Sequence, residues 1–169
     1  MPGLIADSSG NLYGTTPHGG ASGRGVVFKL AGTGFVTAVP FSAFSGKLSI
    51  AFGPSPNTDS FNLDASFTLG SASNGINPPT ELVTLRVGTF KTTIPAVSFT
   101  GTGFGPFHFH GVIDGVRLEV GILPTGAKRY AFQANAHGAD LTGTANPVPV
   151  TLAIGDDSGT TSVTAHESR

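Results

Sequence analysis

The sequence predicts an all-β fold, an antiparallel β-sandwich with a short N-terminal β appendage and almost no helix. Of its 169 residues, 25 are glycine and 12 are proline, while only 11% are charged. Apolar and polar residues alternate with period two along several segments, which is typical of half-buried strands. No segment keeps a helical period. We therefore expect one β-sandwich domain over residues 34–169, preceded by an appendage over residues 1–33.

The appendage contains two short apolar segments separated by glycine-rich turns, and the second segment is Val26–Leu30. The run GLIADSSGNLYGTT, followed after one such turn by VFKL, resembles one copy of the GloVer tandem repeat of large bacterial surface proteins. Repeats of this kind occur in arrays, because one unit cannot bury its own apolar face. The resemblance implies that residues 3–30 are the last repeat of an array and need a partner surface.

The first strands of the main domain follow from alternation and from turn residues. Phe61, Leu63 and Phe67 alternate with polar residues, so one face of their strand belongs to the core. Gly88 joins two further runs as a hairpin, and another strand begins after Pro95. The predicted strands of this part of the chain span residues 41–52, 61–69, 82–87, 89–94 and 97–100.

Residues 104–122 predict a β-hairpin with its turn at Asp114-Gly115, because this dipeptide tolerates the positive φ angles of a type I′ turn. A two-residue loop fixes the register, which pairs His110 with Glu119 and His108 with Gly121. Side chains alternate across a strand, so each face has one character. The apolar face carries Phe107, Phe109, Ile113, Val116, Leu118 and Val120, and the polar face carries His108, His110, Arg117 and Glu119.

The last strands are predicted over residues 130–136, 148–154 and 160–165, with the loop 155–159 joining the last two. We expect a turn at residues 124–126 that pairs Tyr130 with Ile122 and places Gln133 opposite Glu119. His137 then lies about four residues, or roughly 13 Å, along the strand from His110. At that distance His137 cannot be a third ligand of a metal ion bound at His108 and His110.

An internal echo links two of these segments. The run from Val83 to Gly88 is matched by the run from Val150 to Gly155, and each copy follows an Asn-Pro pair. We interpret this echo as two related halves of the domain that pack face to face as a sandwich.

Residues 59–166 also resemble a recurrent, functionally uncharacterised β-domain of secreted bacterial proteins. The segments that carry this resemblance include FTLG at 67–70, NGINP at 74–78, GADLTGT at 138–144 and IGDD at 154–157. The resemblance implies an extracellular or cell-surface module with no assigned chemistry. His108 and His110 depart from the pattern of this family.

Charge and composition argue against several classes of partner. The chain has 9 basic and 10 acidic residues and no run of Lys or Arg, so the electrostatic footprint of a nucleic-acid binder is missing. No apolar run approaches the roughly 20 residues of a membrane span, and residues 1–14 show no signal-peptide pattern. Cysteine is absent, which excludes thiolate metal sites and cysteine nucleophiles. We expect neither a nucleic-acid partner nor membrane insertion.

The sharpest candidate for chemistry is the segment His108-Phe109-His110. Histidines at i and i+2 project from one face of a strand, which suits a divalent transition metal, and the register adds Glu119 as a third ligand. The alternative is a solvated cross-strand pair of His110 and Glu119. The spacing also touches the cupin signature, but Thr102 replaces the expected glycine, Asp114 replaces the expected Glu, and the second cupin motif is absent.

A second candidate is Asp156-Asp157, whose carboxylates suit Ca²⁺. This ion prefers about six or more oxygen ligands, and the sequence names only these two side chains and Ser158. An acidic hairpin loop is the alternative interpretation.

No catalytic residue is predicted, since the chain has no nucleophile elbow and no glycine-rich loop that opens a helix. A carbohydrate-binding face requires exposed aromatic side chains, for which only Tyr13 and Phe104 are unassigned. The leading hypothesis is a non-catalytic, extracellular, structural or self-associating β-module that forms homo-oligomers or filaments through its sheet edges. The alternatives are a metal-binding module or metal-dependent enzyme at His108, His110 and Glu119, and a carbohydrate-binding module.

Overall fold

The described part of the chain is built from strands alone. A computed structural model describes residues 4–6, 11–30, 38–101 and 105–168, and these residues form no helix, which confirms the predicted all-β class. Within these ranges there is accordingly no apolar helix long enough to cross a bilayer. The chain divides into two compact units, Met1–Ala38 and Val39–Arg169. The predicted boundary after residue 33 lies outside the described residues.

The N-terminal unit contains a three-stranded antiparallel sheet. Its strands are β1 (Ile5–Ala6), β2 (Leu12–Thr16) and β3 (Val26–Leu30), in the spatial order β1-β2-β3. A sheet of this size forms one layer, and a single layer buries little apolar surface. Among the described residues of this unit, no large apolar side chain is buried.

The second unit contains two sheets. Its strands are β4 (Val39–Pro40), β5 (Ala43–Ala51), β6 (Asp59–Thr68), β7 (Val83–Val87), β8 (Phe90–Ile94), β9 (Phe107–Ile113), β10 (Val116–Gly126), β11 (Arg129–Ala139), β12 (Val148–Ile154), β13 (Asp157–Val163) and β14 (His166–Ser168). One sheet has the order β14-β5-β6-β11-β10-β9 and the other has the order β4-β13-β12-β7-β8. Both sheets contribute their inward side chains to one apolar core, which confirms the predicted sandwich.

Two short edge strands pair in parallel, which the sequence did not predict. β4 lies beside β13, and β14 lies beside β5. Each pair joins segments that are far apart in the chain, so no local turn residue marks the pairing.

The hairpin of β9 and β10 has the predicted register. Asp114 and Gly115 form its turn with φ angles of 50° and 83°, as a type I′ turn requires. His110 lies opposite Glu119, and His108 lies opposite Gly121. The apolar face is buried or half-buried and the polar face is exposed, as predicted.

The predicted pairing of β10 with β11 is wrong by two residues. Tyr130 pairs with Pro124 rather than Ile122, so Asn135, and not Gln133, lies opposite Glu119. The chain turns later than expected, at residues 127–128, where Lys128 has a φ of 58°. β10 continues through Pro124 because β9 ends opposite Ile122, so the missing N–H of the proline faces no strand there.

The strand predicted over residues 97–100 is also absent. Val97 has a φ of 67°, a value that a β-branched residue adopts only under constraint. Its N–H donates to the carbonyl oxygen of Pro79 at 2.8 Å, and Ser98 closes a turn onto Pro95. Only Thr100 makes a β-bridge, with His108.

The two matching segments of the internal echo belong to two hairpins of one sheet. The expected arrangement of two halves packed face to face is therefore wrong. β7 and β12 are antiparallel neighbours whose register exchanges the two copies: Val83 with Ile154, Leu85 with Leu152, Val87 with Val150. The flanking contacts match as well, since Gly88 N donates to Pro149 O at 2.9 Å and Gly155 N donates to Leu82 O at 3.0 Å. The two hairpins are therefore related by a local pseudo-twofold axis.

Candidate functional site

His108, His110 and Glu119 lie on the exposed side of the six-stranded sheet. We call this surface the histidine face. His110 Nε2 is 3.6 Å from Glu119 Oε1, and the two side chains are 73% and 57% exposed. His108 lies on the same face with Gly121 opposite, and the four residues line a shallow depression of about 360 Å³. The sequence thus predicted the position and the pairing of this cluster correctly.

The metal site expected on this face requires three ligands. Within the described ranges, no group of three or more His, Asp or Glu side chains is arranged to hold a metal ion. His137 lies opposite Arg117 rather than Gly115, so it is nearer the histidine face than predicted. The arrangement supports a solvated His110–Glu119 pair directly and a metal site only after rearrangement.

Asp156 and Asp157 do not form the exposed acidic loop that was expected. The loop is only two residues long, Gly155-Asp156, because Ile154 already pairs with Asp157. Gly155 has a φ of 58°, as the first central residue of a type II′ turn requires. Asp157 is therefore a strand residue, and both acids are buried, with exposures of 5% for Asp156 and 0% for Asp157.

Asp157 points into the space between the two sheets. Its Oδ2 accepts a hydrogen bond from the hydroxyl of the buried Ser73 at 2.8 Å, while its Oδ1 has no hydrogen-bond partner among the described residues. Burial raises the pKa of Asp157, and the charge of Asp156 adds to this; the Ser73 hydroxyl and the Lys128 ammonium act in the opposite direction.

Lys128 anchors the loop that covers this end of the sandwich. Its Nζ donates to the carbonyl oxygens of Gly70, Ser71 and Ser73 at 3.2 to 3.3 Å. The backbone at the same position is also used, because Leu69 N donates to Lys128 O at 2.9 Å. These contacts fix the loop residue that donates to Asp157.

Glu81 is the third acid of this cluster. Its Oε2 accepts from Asn77 N at 2.6 Å, and a Cβ added to Gly155 would lie 2.7 Å from its Oε1. Glycine at position 155 therefore makes room for the Glu81 carboxyl group. Burial raises the pKa of Glu81, the Asn77 amide lowers it, and the charges of Asp156 and Asp157 raise it further.

A cavity of about 370 Å³ lies beside these acids. Its lining includes Glu81, Tyr130, Phe107 and the side of the loop from Asn74 to Asn77. Tyr130 stacks on Phe67 with a centroid distance of 5.2 Å. Burial and the charge of Asp157 raise the pKa of the Tyr130 phenol, so it is neutral at physiological pH. We call Glu81, Asp156, Asp157, Ser73 and Lys128 the acid cluster.

Sequence reasoning named Asp156 and Asp157 as a candidate site but missed their burial and the other residues of the acid cluster, although one signal was present. The echo aligns Gly155 with Gly88, and it therefore aligns Asp157 with Phe90. Phe90 is a core residue with 8% exposure. A carboxylate at the counterpart of a core phenylalanine indicates a buried charge rather than a loop.

Asp59, a buried acid outside the acid cluster, shows what a purely structural carboxylate looks like here. Asp59 is 4% exposed, and its two oxygens accept from Gly53 N at 2.9 Å and from Leu141 N at 2.8 Å. It lines a depression of about 810 Å³. Both of its carboxylate oxygens are satisfied by backbone amides, whereas only one oxygen of Asp157 is satisfied.

Of the two aromatic residues considered for carbohydrate binding, Tyr13 lies in the described part of the chain. Tyr13 is half-buried, with the ammonium of Lys29 at 5.6 Å from its ring centroid. Phe104 lies outside the described residues.

The N-terminal sheet is the main exposed apolar surface of the described chain. Four of the nine large apolar side chains that are exposed lie on its strands, Ile5, Val26, Val27 and Leu30, and a fifth, Leu4, directly precedes β1. Val27 is the most exposed of these, at 79%.

No protein-family model, no curated protein and no solved structure matches this chain.

Proposed function

We propose that this protein is a structural β-module of a bacterial cell surface that self-associates through its N-terminal sheet. The observation that carries the proposal is the exposure of four large apolar side chains on a sheet of three short strands, with Leu4 exposed directly before the first strand. Isolated exposed apolar residues are ordinary, but several on one small sheet mark an interaction surface. The resemblance of residues 3–30 to one repeat of an array supports the same conclusion.

The edge strand β3 gives this surface a way to pair. Among the described strands it is the last of its sheet, with β2 on one side, so its other side offers backbone N–H and C=O groups to another strand. Strand addition of this kind is a common mode of protein association. A second copy of the chain supplies a strand with the same side chains, so the proposed partner is the protein itself.

Light scattering coupled to size exclusion tests the proposal on the full chain over the micromolar to millimolar range. We expect the average mass to rise with concentration and Val27→Lys to keep the protein monomeric, because a charge opposes burial at this edge. Val112→Lys is the matched control, since Val112 is a 65% exposed strand residue of the sandwich.

Two outcomes contradict the proposal. One is a strict monomer at every concentration. The other is association that Val112→Lys weakens as much as Val27→Lys does.

A metal-binding function at the histidine face is the second candidate. It is favoured by the observed register, which places Glu119 opposite His110 and Gly121 opposite His108. Gly121 has no side chain that would occupy the space beside His108. Imidazole and carboxylate are ordinary ligands of Zn²⁺ and related ions. His108 must then approach the pair of His110 and Glu119 as the ion binds, because the described residues hold no group of three such ligands.

Metal analysis of protein purified without an affinity tag tests this second candidate. Stoichiometric metal, with a melting temperature that a chelator lowers in the parent but not in His110→Gln, supports it. Metal-free protein with no chelator effect leaves His110 and Glu119 as a solvated cross-strand pair.

A further inference from the structure

The two faces of the N-terminal sheet differ in character. Cross-strand partners lie on the same face of a sheet, and side chains along one strand alternate between the faces. One face carries Leu12, Gly14, Thr16, Val26, Phe28 and Leu30, and the other carries Ile5, Tyr13, Thr15, Val27 and Lys29. The first set is apolar apart from Thr16, and we call it the apolar face.

Gly14 lies on the middle strand of the apolar face, beneath two large side chains. A Cβ atom added to it would lie 2.6 Å from Cζ of Phe28 and 2.7 Å from Cδ2 of Leu4. Leu4 therefore belongs to the apolar face as well, although it precedes β1. Glycine at this position allows both side chains to approach the backbone of β2, and Gly14 itself is buried. The face is thus one continuous apolar surface across the three strands.

This packing leaves much of the apolar face in solvent. Leu4, Val26 and Leu30 are 58%, 40% and 49% exposed, and Leu12 and Phe28 are half-buried. A sheet normally buries its apolar face against a second layer, and a sheet of three strands depends on such burial for its stability. An uncovered apolar face of several adjacent side chains therefore marks an interaction surface.

Charge and composition favour a second copy of the chain as the missing layer. Among the described residues of the sheet, no charged side chain lies on the apolar face. The other face carries Lys29, whose ammonium group is 5.6 Å from the ring centroid of Tyr13. Two apolar faces can thus meet without burying a charge. The described part of the sandwich presents no comparable surface, since its exposed large apolar side chains lie on four separate segments, at Leu82, Val97, Val112 and Leu123.

We infer that the apolar face packs against the apolar face of another copy, so that N-terminal sheets form the two layers of a sandwich shared between copies. This inference rests on the proposed self-association and names the face that it buries. Antiparallel pairing of two β3 edges about a twofold axis places both apolar faces on the same side of one six-stranded sheet. Stacking then covers a face of six strands rather than three, so a charge that prevents pairing at β3 also weakens stacking.

Leu4→Lys and Ile5→Lys are the matched variants that test the inference. The two residues are neighbours, with exposures of 58% and 71%; they lie on opposite faces, and neither belongs to β3. Light scattering of the full chain over the micromolar to millimolar range measures association. We expect Leu4→Lys to weaken association by roughly tenfold or more, because the charge would be buried between the layers. Ile5→Lys should associate like the parent.

Thiol protection identifies the buried face independently, because the chain contains no cysteine. Val26 and Val27 are adjacent residues of β3 whose side chains lie on opposite faces. A trace of Val26→Cys in an excess of parent protein should react with a maleimide roughly tenfold more slowly than the same variant alone, because stacking buries the thiol. Val27→Cys should keep its rate. Amide NMR signals of residues 11–30 show whether the sheet persists in each variant, and the thiol rates decide where a lysine variant loses these signals.

Three outcomes overturn the inference. They are association of a folded Leu4→Lys equal to that of the parent, equal weakening by Leu4→Lys and Ile5→Lys, and a reaction rate of Val26→Cys that added parent protein does not change. If Leu4→Lys associates like the parent while Val27→Lys stays monomeric, edge pairing alone accounts for association, and the proposed function stands without the inference. A parent protein that is monomeric at every concentration overturns both.

Discussion

The two pseudo-equivalent hairpins of the five-stranded sheet differ in character at the first inward position after the turn. Each hairpin turns at a glycine with a φ of 58°, Gly88 in one and Gly155 in the other. The residue that starts the returning strand is Phe90 in the first hairpin and Asp157 in the second. Phe90 packs against Phe61 with a centroid distance of 5.5 Å. Asp157 instead accepts a hydrogen bond from Ser73 within the acid cluster.

This difference shows that the fold does not require a carboxylate at position 157. The same turn and the same strand geometry bury an aromatic side chain in the other hairpin, and that choice stabilises the core. Asp157 instead demands a donor from a distant loop, which Lys128 must hold in place. Sites where a sequence departs from its own pattern are expected to be functional. The predictions below test each side of the comparison.

The largest loss of stability is expected from a substitution in the hairpin that carries Phe90. Phe90→Ala should reduce the free energy of unfolding by about 3–5 kcal/mol, because it leaves a cavity next to Phe61. Urea unfolding measures this, with Lys91→Ala on the exposed face of the same strand as the control. A loss below about 1 kcal/mol contradicts the assignment of Phe90 to the core.

The next largest loss of stability is expected when the hydroxyl group that donates to Asp157 is removed. Ser73→Ala should cost about 1–3 kcal/mol, because it leaves both oxygens of a buried carboxylate unsatisfied and removes the acceptor of Gly75 N. The same urea experiment on Ser71→Ala, an exposed position in the same loop, serves as the control. Equal unfolding curves for the two variants mean that Ser73 does not support Asp157.

Neutralising Asp157 and neutralising Asp59 should have opposite effects on stability. Asp157→Asn removes an uncompensated buried charge and should leave stability at neutral pH equal or raise it by about 1 kcal/mol. Asp59→Asn should lower stability by about 1–3 kcal/mol, because an amide NH₂ group then faces a backbone N–H. Thermal melting of both variants at neutral pH shows the signs. A destabilised Asp157→Asn indicates that the native charge is already well compensated.

The smallest effect belongs to the exposed histidine face. A double-mutant cycle on His110→Gln and Glu119→Gln should give a coupling energy of about 0.2–1 kcal/mol that decreases with salt, because both side chains are solvated. Urea unfolding at low and high ionic strength measures it. A larger coupling that depends on a chelator favours the metal site instead.

The outcome of the sequence predictions follows from the range of the interactions involved. The register of the hairpin at Asp114-Gly115 was predictable because a two-residue loop sets it locally. The pairing of Tyr130 with Pro124 was not, since a proline is tolerated there only because β9 has already ended. The burial of Asp157 depends on Ser73, which lies 84 residues away, and the alternation pattern contains no information about that contact.

The echo between the two hairpins held the one local signal for the acid cluster. Its glycines align Asp157 with Phe90, but an Asp-Asp pair after a glycine is also typical of an exposed loop. Only the pairing of Ile154 with Asp157 separates the two interpretations.

The carboxyl ¹³C NMR titration of Asp157 and Glu81 tests most directly whether the cluster holds an uncompensated buried charge. We predict that both pKa values lie above the ordinary 3.8 and 4.5, since burial disfavours the charged forms. The folded protein then binds protons more tightly than the unfolded chain, so stability is highest below these ordinary values and is lost as pH rises through the raised ones. Melting temperature should accordingly fall over that window, and Asp157→Asn should reduce the fall. A pKa for Asp157 at or below 3.8, with parent and variant sharing one pH profile, contradicts the account.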